Sequence, residues 1–359
     1  MGYFKVNILG DFVDSYIYSG YLFIVDSNYK LSVYKWSNLV SDSLLGVDPK
    51  DRDSIERITN DSRDKISLKT TKCITIKQKL LTRHLTDSYE IGVWPTDINI
   101  FANNLYISSE LGVTHLKFEY DNGTLSKPTK LFDEIVFALS PNSFGRFALA
   151  AGKSGVLSYT PFSKYFNRDN IKPIIESTCI DLDWQSTTLF AEVNNAIIRC
   201  DFSPMPEKSD NLTKTDYFDL VKRVKNDKPK SKYLESLSYA WVAGNRVYAI
   251  GKNGSIYTGF TKSSELIEHK ISSFDANVER ARTAAFGTII EKDNKLFILS
   301  KGAIKKYAGD FVSWRVFPRA KNYANQLHII RDDYIELSFI ESNENDLFSL
   351  EIDKIDLKG

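Results

Sequence analysis

Gly152-Lys153-Ser154 has the residue types that end a phosphate-binding loop, Gly-x-x-x-x-Gly-Lys-Ser/Thr. That loop also needs a glycine at position 147, where this chain has Phe147, and a following helix whose N–H groups face the phosphates. Residues 156–162, VLSYTPF, are typical of a strand instead. The stretch is therefore predicted to be a hairpin turn, and we expect neither a nucleotide partner nor a cofactor.

The histidines do not have the spacing of a zinc site. His84, His115, His269 and His328 are far apart, and the chain has no His-x-x-x-His or Cys-x-x-Cys pair. We therefore predict no metal site. His328, in the apolar segment QLHIIRD, is the histidine best placed to be a ligand; the alternative is a buried histidine satisfied by hydrogen bonds.

Cysteine spacing argues against a disulfide framework. Cys73, Cys179 and Cys200 are widely separated. Cys179 and Cys200 fall in predicted strands with one strand between them, which places their Cα atoms ~9–10 Å apart. A disulfide requires less than about 7 Å. Both are predicted to be buried free thiols.

Acidic residues precede several predicted buried strands, namely Asp97, Asp133, Glu134 and Glu176. Carboxylates that converge from several strands can act as general acids and bases or hold a metal ion. The chain has no Gly-x-Ser-x-Gly elbow, so a serine hydrolase lacks its key feature. Enzymatic use of the carboxylates stays an alternative, and we predict no catalytic residue.

Trp94, in EIGVWPTDI, is a candidate for contact with a partner. Pro95 would hold it in a loop, and exposed aromatic side chains dominate many protein interfaces. The alternative is that its ring packs between neighbouring repeats.

Five basic residues are predicted to share one face and form a positive patch. They are Lys153, Lys252, Arg280, Arg282 and Lys301. The lysines lie in predicted hairpin turns and the arginines lead into a strand. Such a patch would bind an anionic ligand or an acidic partner.

The elements that position these residues form a repeat in which an apolar strand, a polar turn and a second strand recur. Seven such hairpins lie at residues 21–36, 104–118, 146–162, 187–202, 246–260, 295–307 and 334–352. They recur at about 40 residues, or at that period plus an insertion, which is the length of a propeller blade. Alternating residues around turns with Gly or Asn predict β-hairpins.

Each hairpin is preceded by an apolar segment that suits an innermost strand buried on both faces. These segments are residues 14–19, 97–102, 134–140, 179–184, 237–243, 283–290 and 326–332. More polar outer strands are predicted at residues 73–80, 128–134, 171–177, 265–271 and 313–319. The fourth repeat has no clear outer strand. In the seventh, residues 346–352 are predicted as the third strand.

YFKVNIL (3–9) precedes the first repeat, and the seventh repeat lacks its fourth strand. We predict that the N-terminal strand completes the last repeat, which removes exposed sheet edges. In this ring-closing arrangement the chain resembles the β-propeller superfamily along most of its length. The blades lack the Trp-Asp and Gly-His signatures and the sialidase box, so no narrower family is indicated.

The predicted fold is all-β: a seven-bladed propeller of four-stranded antiparallel blades, forming one domain over residues 1–359. Two stacked β-sandwiches are the alternative, but they would need a break in composition near the middle of the chain. Polar insertions interrupt blade one at 37–66 and blade four at 203–235. The first is predicted to be a mobile surface loop or a partner-binding arm, with a helical stretch from Pro49.

In the second insertion, Thr215 is predicted to cap a helix whose apolar stripe, Phe218, Val221 and Val224, docks on the propeller wall. A basic tail follows, formed by Lys222, Arg223, Lys225, Lys228, Lys230 and Lys232. It is predicted to be a solvated face; the alternative is contact with an acidic partner or nucleic-acid phosphate.

Charge and composition limit the possible functions. The chain has 47 basic and 46 acidic residues, so no global field favours nucleic acid or membranes. No apolar run approaches the ~20 residues of a membrane span, and the first residues do not resemble a secretory signal. We predict a soluble, cytoplasmic, non-enzymatic scaffold that binds protein, as a subunit of a larger assembly. A hydrolase, lactonase or carbohydrate-active propeller is the alternative.

Overall fold

The computed structural model describes residues 3–62, 72–142, 146–159, 171–194, 196–207, 211–263, 265–271, 277–343 and 345–352. The predicted strand residues 160–162 lie outside these ranges. So does the C-terminal stretch 353–359.

Residues 3–90 contain the N-terminal strand, the first blade and three helices. The elements are β1 (Tyr3–Leu9), β2 (Phe12–Tyr18), β3 (Tyr21–Asp26), β4 (Lys30–Lys35), α1 (Trp36–Ser43), α2 (Pro49–Asn60), β5 (Lys72–Ile76), α3 (Gln78–Arg83) and β6 (Leu85–Glu90). Blade one is the antiparallel sheet β2-β3-β4-β6.

Blades two to four follow in chain order. Blade two contains β7 (Pro95–Phe101), β8 (Asn104–Ser109), β9 (Gly112–Glu119), β10 (Thr124–Leu125) and β11 (Thr129–Phe132). Blade three contains β12 (Ala138–Asn142), β13 (Arg146–Ala150), β14 (Val156–Tyr159) and β15 (Lys172–Ile175). Blade four contains β16 (Cys179–Gln185), β17 (Thr188–Val193), β18 (Ala196–Asp201), the helix α4 (Lys214–Asn226) and β19 (Lys230–Leu234).

Blades five to seven complete the series. Blade five contains β20 (Leu237–Ala243), β21 (Arg246–Gly251), β22 (Ile256–Phe260) and β23 (Leu266–His269). Blade six contains β24 (Arg280–Ala284), β25 (Gly287–Lys292), β26 (Lys295–Ser300) and β27 (Ala303–Gly309). Blade seven contains β28 (Ser313–Val316), β29 (Gln326–Ile330) and β30 (Tyr334–Ile340), joined by β1 and β5. The seven sheets confirm the predicted all-β, seven-bladed β-propeller fold.

The N-terminal strand completes the last blade, as predicted. β1 pairs antiparallel with β30 from Tyr3 opposite Ile340 to Leu9 opposite Tyr334. Phe4, Val6 and Ile8 are fully or almost fully buried, so one face of β1 belongs to the core. The strand therefore ties the N-terminus into the sheet by backbone hydrogen bonds and by apolar burial.

The sequence predicted that residues 346–352 form the strand beside the N-terminal strand, and this prediction was wrong. Residues 346–352 form no strand and instead run beside blade six, where Leu350 N donates to Ala284 O over 2.9 Å. The predicted innermost strand 283–290 is two strands joined by a turn at Ala285-Phe286. Gly287, with φ +148°, permits that turn, because a Cβ there would lie 2.7 Å from the Leu299 carbonyl oxygen.

Because of this turn, the boundary between blades six and seven lies one strand earlier in the chain than predicted. Residues 313–319 were predicted to form the outer strand of blade six, but β28 is the innermost strand of blade seven. The segment 326–332, predicted as innermost, contains β29, the second strand.

The outer strands of blades one and four also differ from the prediction. The segment 73–80 contains β5, which pairs parallel with β1 in blade seven, whereas the polar strand β6 closes blade one. Blade four, which had no predicted outer strand, is closed by β19. Outer strands are half-exposed, so their sequences carry little apolar periodicity.

The described part of the insertion in blade one, residues 37–62, is helical and packed, which corrects its interpretation as a mobile surface loop. Asp48 caps α2 by accepting a hydrogen bond from Lys50 N, and Pro49 starts the helix, as predicted. Trp36 and Ile55 are fully buried with Phe4 and Phe339 in one apolar cluster. The helices therefore extend the core beside blades seven and one.

The helix of the second insertion begins two residues earlier than predicted. Thr213, not Thr215, is the N-cap, and its hydroxyl accepts from Asp216 N over 3.1 Å. Val221 is buried, whereas Phe218 and Val224 are half-buried. The predicted apolar stripe therefore docks chiefly through Val221.

The described residues divide into two compact units. The first lies within Met1–Tyr106, His115–Thr129 and Val278–Leu357, and the second within Ile107–Thr114 and Lys130–Asn277. The core of the first unit combines blades one, six and seven with the helices α1–α3. The core of the second combines strands of blades three, four and five.

Candidate interaction surface

In the first unit, an arginine joins the innermost strands of three blades. Arg315 on β28 contacts Asp14 on β2 through two bonds, Nη2 to Oδ2 at 2.7 Å and Nε to Oδ1 at 3.3 Å. Its Nη2 also lies 3.5 Å from Oδ1 of Asp97 on β7. Each of the three residues is the third of its strand, so equivalent positions in the repeat meet here.

Two carboxylates share the single positive charge of Arg315 in this cluster. Burial alone would lower the pKa of Arg315, but the carboxylates of Asp14 and Asp97 outweigh that effect and raise it. The guanidinium also donates to Ile98 O over 3.0 Å and lies 5.2 Å from the ring centre of Tyr16. Asp97, one of the carboxylates considered above for acid–base or metal chemistry, is therefore an ion-pair partner that fixes strand positions.

His328 is buried beside this cluster. Its Nδ1 lies 2.8 Å from Ser15 Oγ, and its Nε2 lies 3.3 Å from Gln326 Oε1. Burial and the nearby Arg315 lower its pKa to about 3, so the ring is neutral. In the described part of the chain, no three His, Cys, Asp or Glu residues are arranged to hold a metal ion. His328 has the contacts of a satisfied core histidine.

Carboxylates on the innermost strand of blade four are also engaged. The Tyr239 hydroxyl donates to Asp181 Oδ2 over 2.7 Å, and Val242 N donates to Asp183 Oδ2 over 2.9 Å. Burial and the neighbouring Asp181 raise the pKa of Glu192. These bonds join blades four and five within the second unit.

Trp94 is half-exposed, at 50%, in the loop that leads into blade two. Its ring packs edge-on against Tyr29, with ring centres 5.8 Å apart and planes at 75°. Tyr29, at φ 61°, lies in the turn between β3 and β4 of blade one. The two rings form a small aromatic surface on the first unit, and the role of Trp94 in partner binding stays a prediction.

Arg280 is part of the packing between blades six and seven. Its guanidinium lies 4.8 Å from the ring centre of Trp314, and Nη1 donates to Trp314 O over 3.2 Å. Trp314 Nε1 in turn donates to Glu291 over 2.6 Å. Arg282 Nη1 donates to Ala281 O over 2.8 Å. Both arginines thus make structural contacts.

The upper end of a blade is defined here as the end at which its innermost strand begins. Arg280, the first residue of β24, lies at the upper end of blade six, opposite Glu291. Lys301 lies in the turn between β26 and β27, at the lower end. The prediction that these residues share one face is wrong, because that turn follows the third strand and not the second.

Lys153 and Lys252 lie in the second unit, exposed in upper-end turns of blades three and five. Gly152 has φ 54°, and a Cβ there would lie 2.8 Å from the Phe137 ring. The hairpin turn predicted at residues 150–155 is confirmed, since β13 and β14 pair around it.

The sequence did not reveal an apolar cluster in the second unit, at the upper ends of blades two, three and four. It comprises Leu111, Ile135, Phe137 and Ile180, which are 54%, 38%, 36% and 53% exposed. Ile135 and Phe137 had been assigned to a buried strand, but β12 begins only at Ala138. Ile180 lies at a β-bulge between Cys179 and Asp181, which disrupts the alternation of β16.

Backbone hydrogen bonds connect the loops that carry the apolar cluster. Val136 N donates to Ser109 O over 3.2 Å, and Phe137 N donates to Ala150 O over 2.9 Å. Gly152 and Cys179 exchange two further bonds of 2.9 and 3.0 Å. These bonds therefore hold the loops that carry Leu111, Ile135 and Ile180 next to one another.

No protein-family model matches the chain, and no curated protein sequence matches it. Similar solved structures include PorZ, a bacterial surface component of the type-IX secretion system of Porphyromonas gingivalis (12% identity, TM-score 0.47, 95% of this chain). This chain spans 38% of the PorZ chain.

For two further similar structures, the matched region covers most of both chains. Sqt1 of Saccharomyces cerevisiae is 10% identical, with a TM-score of 0.49 and coverage of 90% of this chain and 82% of that one. The Dos1 propeller is 8% identical, with a TM-score of 0.48 and coverage of 92% and 79%. At these scores the class of the protein, a β-propeller, rests on its own seven sheets. No helix in the described residues is long and apolar enough to span a membrane.

Proposed function

We propose that the protein is a non-enzymatic scaffold that binds another protein through the apolar cluster of Leu111, Ile135, Phe137 and Ile180. The observation that carries this proposal is the exposure of all four side chains on adjoining, mutually bonded loops. Single exposed apolar residues are ordinary, but grouped ones mark interaction sites. A rigid sheet beneath the loops lowers the entropic cost of ordering them on binding.

The enzymatic alternative finds no support in the innermost-strand carboxylates described above. Asp14 and Asp97 face Arg315, and Asp181 accepts from Tyr239. A general base or a metal ligand at these positions would have to leave an existing partner first. The carboxylates therefore favour a structural role in joining blades.

Other features of the proposed scaffold rest on sequence reasoning. We retain residues 1–359 as a single domain, a cytoplasmic location and membership of a larger assembly as parts of the proposal. Trp94, Lys153, Lys252 and Lys301 remain candidate contact residues. Arg280 and Arg282 are weaker candidates, because they already contact backbone carbonyls.

The test is site-specific photo-crosslinking in the native host. A photoreactive phenylalanine analogue replaces Phe137 in one variant and Tyr233, 57% exposed on β19, in a matched control. We expect a discrete protein adduct from position 137 and none from position 233.

The captured protein is then purified and titrated against the wild-type chain and the variant Ile135→Ser/Phe137→Ser. We expect affinity to fall on the order of 10-fold or more in the variant, as for a hot spot. Unchanged affinity at an unchanged melting temperature would contradict the proposal.

A further inference from the structure

The loops that carry the apolar cluster are predominantly acidic. Glu110 precedes Leu111, Asp133 and Glu134 precede Ile135, and Glu176 lies in the loop before Ile180. All four carboxylates are exposed, and Lys153 is the basic residue in these loops. We call the four residues Glu110, Asp133, Glu134 and Glu176 the acidic rim.

The rim is placed by the same contacts that order the loops. Ser154 Oγ donates to Glu134 Oε2 over 2.9 Å, which joins the turn of blade three to the loop before Ile135. A Cβ on Gly155 would meet the backbone of Ile175 and Glu176, so that turn also adjoins the loop before blade four. Glu134 and Glu176 therefore lie on opposite sides of one turn.

A basic residue of the neighbouring outer strand contacts the backbone of one of these loops. Lys130, on β11, donates from its ammonium group to the carbonyl oxygen of Leu111. That bond anchors the loop of Leu111 from below. Within the loops, the four carboxylates of the rim outnumber the one basic residue, Lys153, around an apolar centre.

We propose that the occupant of the apolar cluster is a basic protein segment, in which aliphatic or aromatic side chains alternate with Lys or Arg. This inference rests on the proposed function and specifies its partner. The apolar side chains would cover Leu111, Ile135, Phe137 and Ile180, while the basic groups reach the rim. Lys and Arg suit this arrangement because their stems pack on apolar surface while their charges reach outward. Opposite charges also accelerate association and reject acidic competitors.

The acidic surroundings of Lys153 favour a partner of the opposite charge to the one expected from the sequence. That residue was predicted to join a positive patch for an acidic partner. In the second unit its turn is instead flanked by Glu134 and Glu176. An acidic segment or nucleic-acid phosphate would face repulsion at this end of the blades.

The experiment measures binding of three synthetic 12-residue peptides by fluorescence anisotropy. All three have Leu, Ile and Phe at alternate positions, and the remaining positions are Lys, Gln or Glu. At 50 mM salt we expect the Lys peptide to bind on the order of 10-fold more tightly than the Glu peptide. The difference should shrink at 500 mM salt, because exposed charges are screened.

Matched charge variants test the rim directly. The rim variant is Glu110→Gln/Asp133→Asn/Glu176→Gln, and the control variant, with the same charge change, is Glu207→Gln/Asp219→Asn/Glu265→Gln, at exposed positions away from the apolar cluster. We expect the rim variant to lose about 5-fold or more in affinity for the Lys peptide, while the control keeps wild-type affinity.

Each alternative outcome has a defined meaning. Equal binding of Lys and Glu peptides, with loss of both in Ile135→Ser/Phe137→Ser, would overturn the basic partner and leave the proposed function standing. If none of the peptides binds, the proposal of a basic segment as the occupant is overturned. The crosslink at position 137 would then decide separately whether the proposed function holds. A dimer in sedimentation velocity that Ile135→Ser/Phe137→Ser dissolves would replace the partner with a second copy of this chain and overturn the inference.

Discussion

Arg315 on β28 and Asp14 on β2 form a two-bond ion pair that joins the innermost strands of blades seven and one. The side chains are only 14% and 17% exposed, so the pair is shielded from water. Removing one partner leaves the other charge buried and without its main counter-ion.

We therefore predict that Arg315→Met lowers the free energy of unfolding by about 3 kcal/mol, because Asp14 and Asp97 then lose their shared cation. The double variant Asp14→Asn/Arg315→Met should recover part of that loss. Denaturant titration of both variants provides the measurement. A single variant as stable as the wild type would contradict the structural role given to this cluster.

The N-terminal strand gives a second prediction, with a control on the same strand. Phe4 is fully buried, and its ring centre lies 5.7 Å from that of Phe339, whereas Leu9 is 40% exposed. Phe4→Ala should cost about 3–4 kcal/mol through lost burial and a cavity, and Leu9→Ala less than about 1 kcal/mol. Thermal and denaturant unfolding would measure both. Equal effects would argue against closure of blade seven by β1.

The number of blades and the N-terminal closure were predictable because they depend on hairpin patterns that recur along the chain. The boundary between blades six and seven was not. Ala285 and Phe286 are apolar and fully buried, yet they form a turn, so residues 283–290 resemble one continuous strand. Buried turns are compatible with apolar residues when their backbone groups find partners, as Ala285 N does with Ala324 O.

The candidate site was only partly predictable for a related reason. Trp94 was identified because Pro95 would hold it in a predicted loop. Ile135 and Phe137, by contrast, have the composition of a core strand, and their exposure follows from where β12 begins. Ile180 is exposed at a β-bulge, a backbone irregularity that one sequence hardly reveals. Meetings between distant residues, such as Arg315 with Asp14, depend on tertiary structure and have no local signal.

Burial of His328 predicts a specific dependence of stability on pH. Its pKa is lowered to about 3 in the folded chain, compared with about 6.5 when unfolded. Below pH 6.5 the unfolded chain binds the proton more readily, so folding is destabilised as the pH falls towards 3.

When the pH falls from 6.5 to 5, this single group should lower the free energy of unfolding by about 2 kcal/mol. The variant His328→Asn, which keeps a polar group towards Ser15, should lose correspondingly less stability over that range. Denaturant titrations at each pH compare the two proteins. Parallel curves for wild type and variant would show that His328 does not titrate as its burial requires.

The cysteines differ enough in environment to give a kinetic prediction. Burial raises the pKa of Cys179 to about 12 and of Cys200 to about 11, and both are free thiols with almost no exposure. Partial burial also raises the pKa of Cys73 on β5, but this free thiol is exposed to reagent. The thiolate is the reactive form, and access to reagent limits the buried groups further.

With a chromogenic disulfide reagent at pH 8, we expect one thiol to react rapidly in the native protein. Cys73→Ser should abolish that phase, and the two remaining thiols should react only after unfolding. A rapid phase that persists in Cys73→Ser would contradict the burial of Cys179 and Cys200.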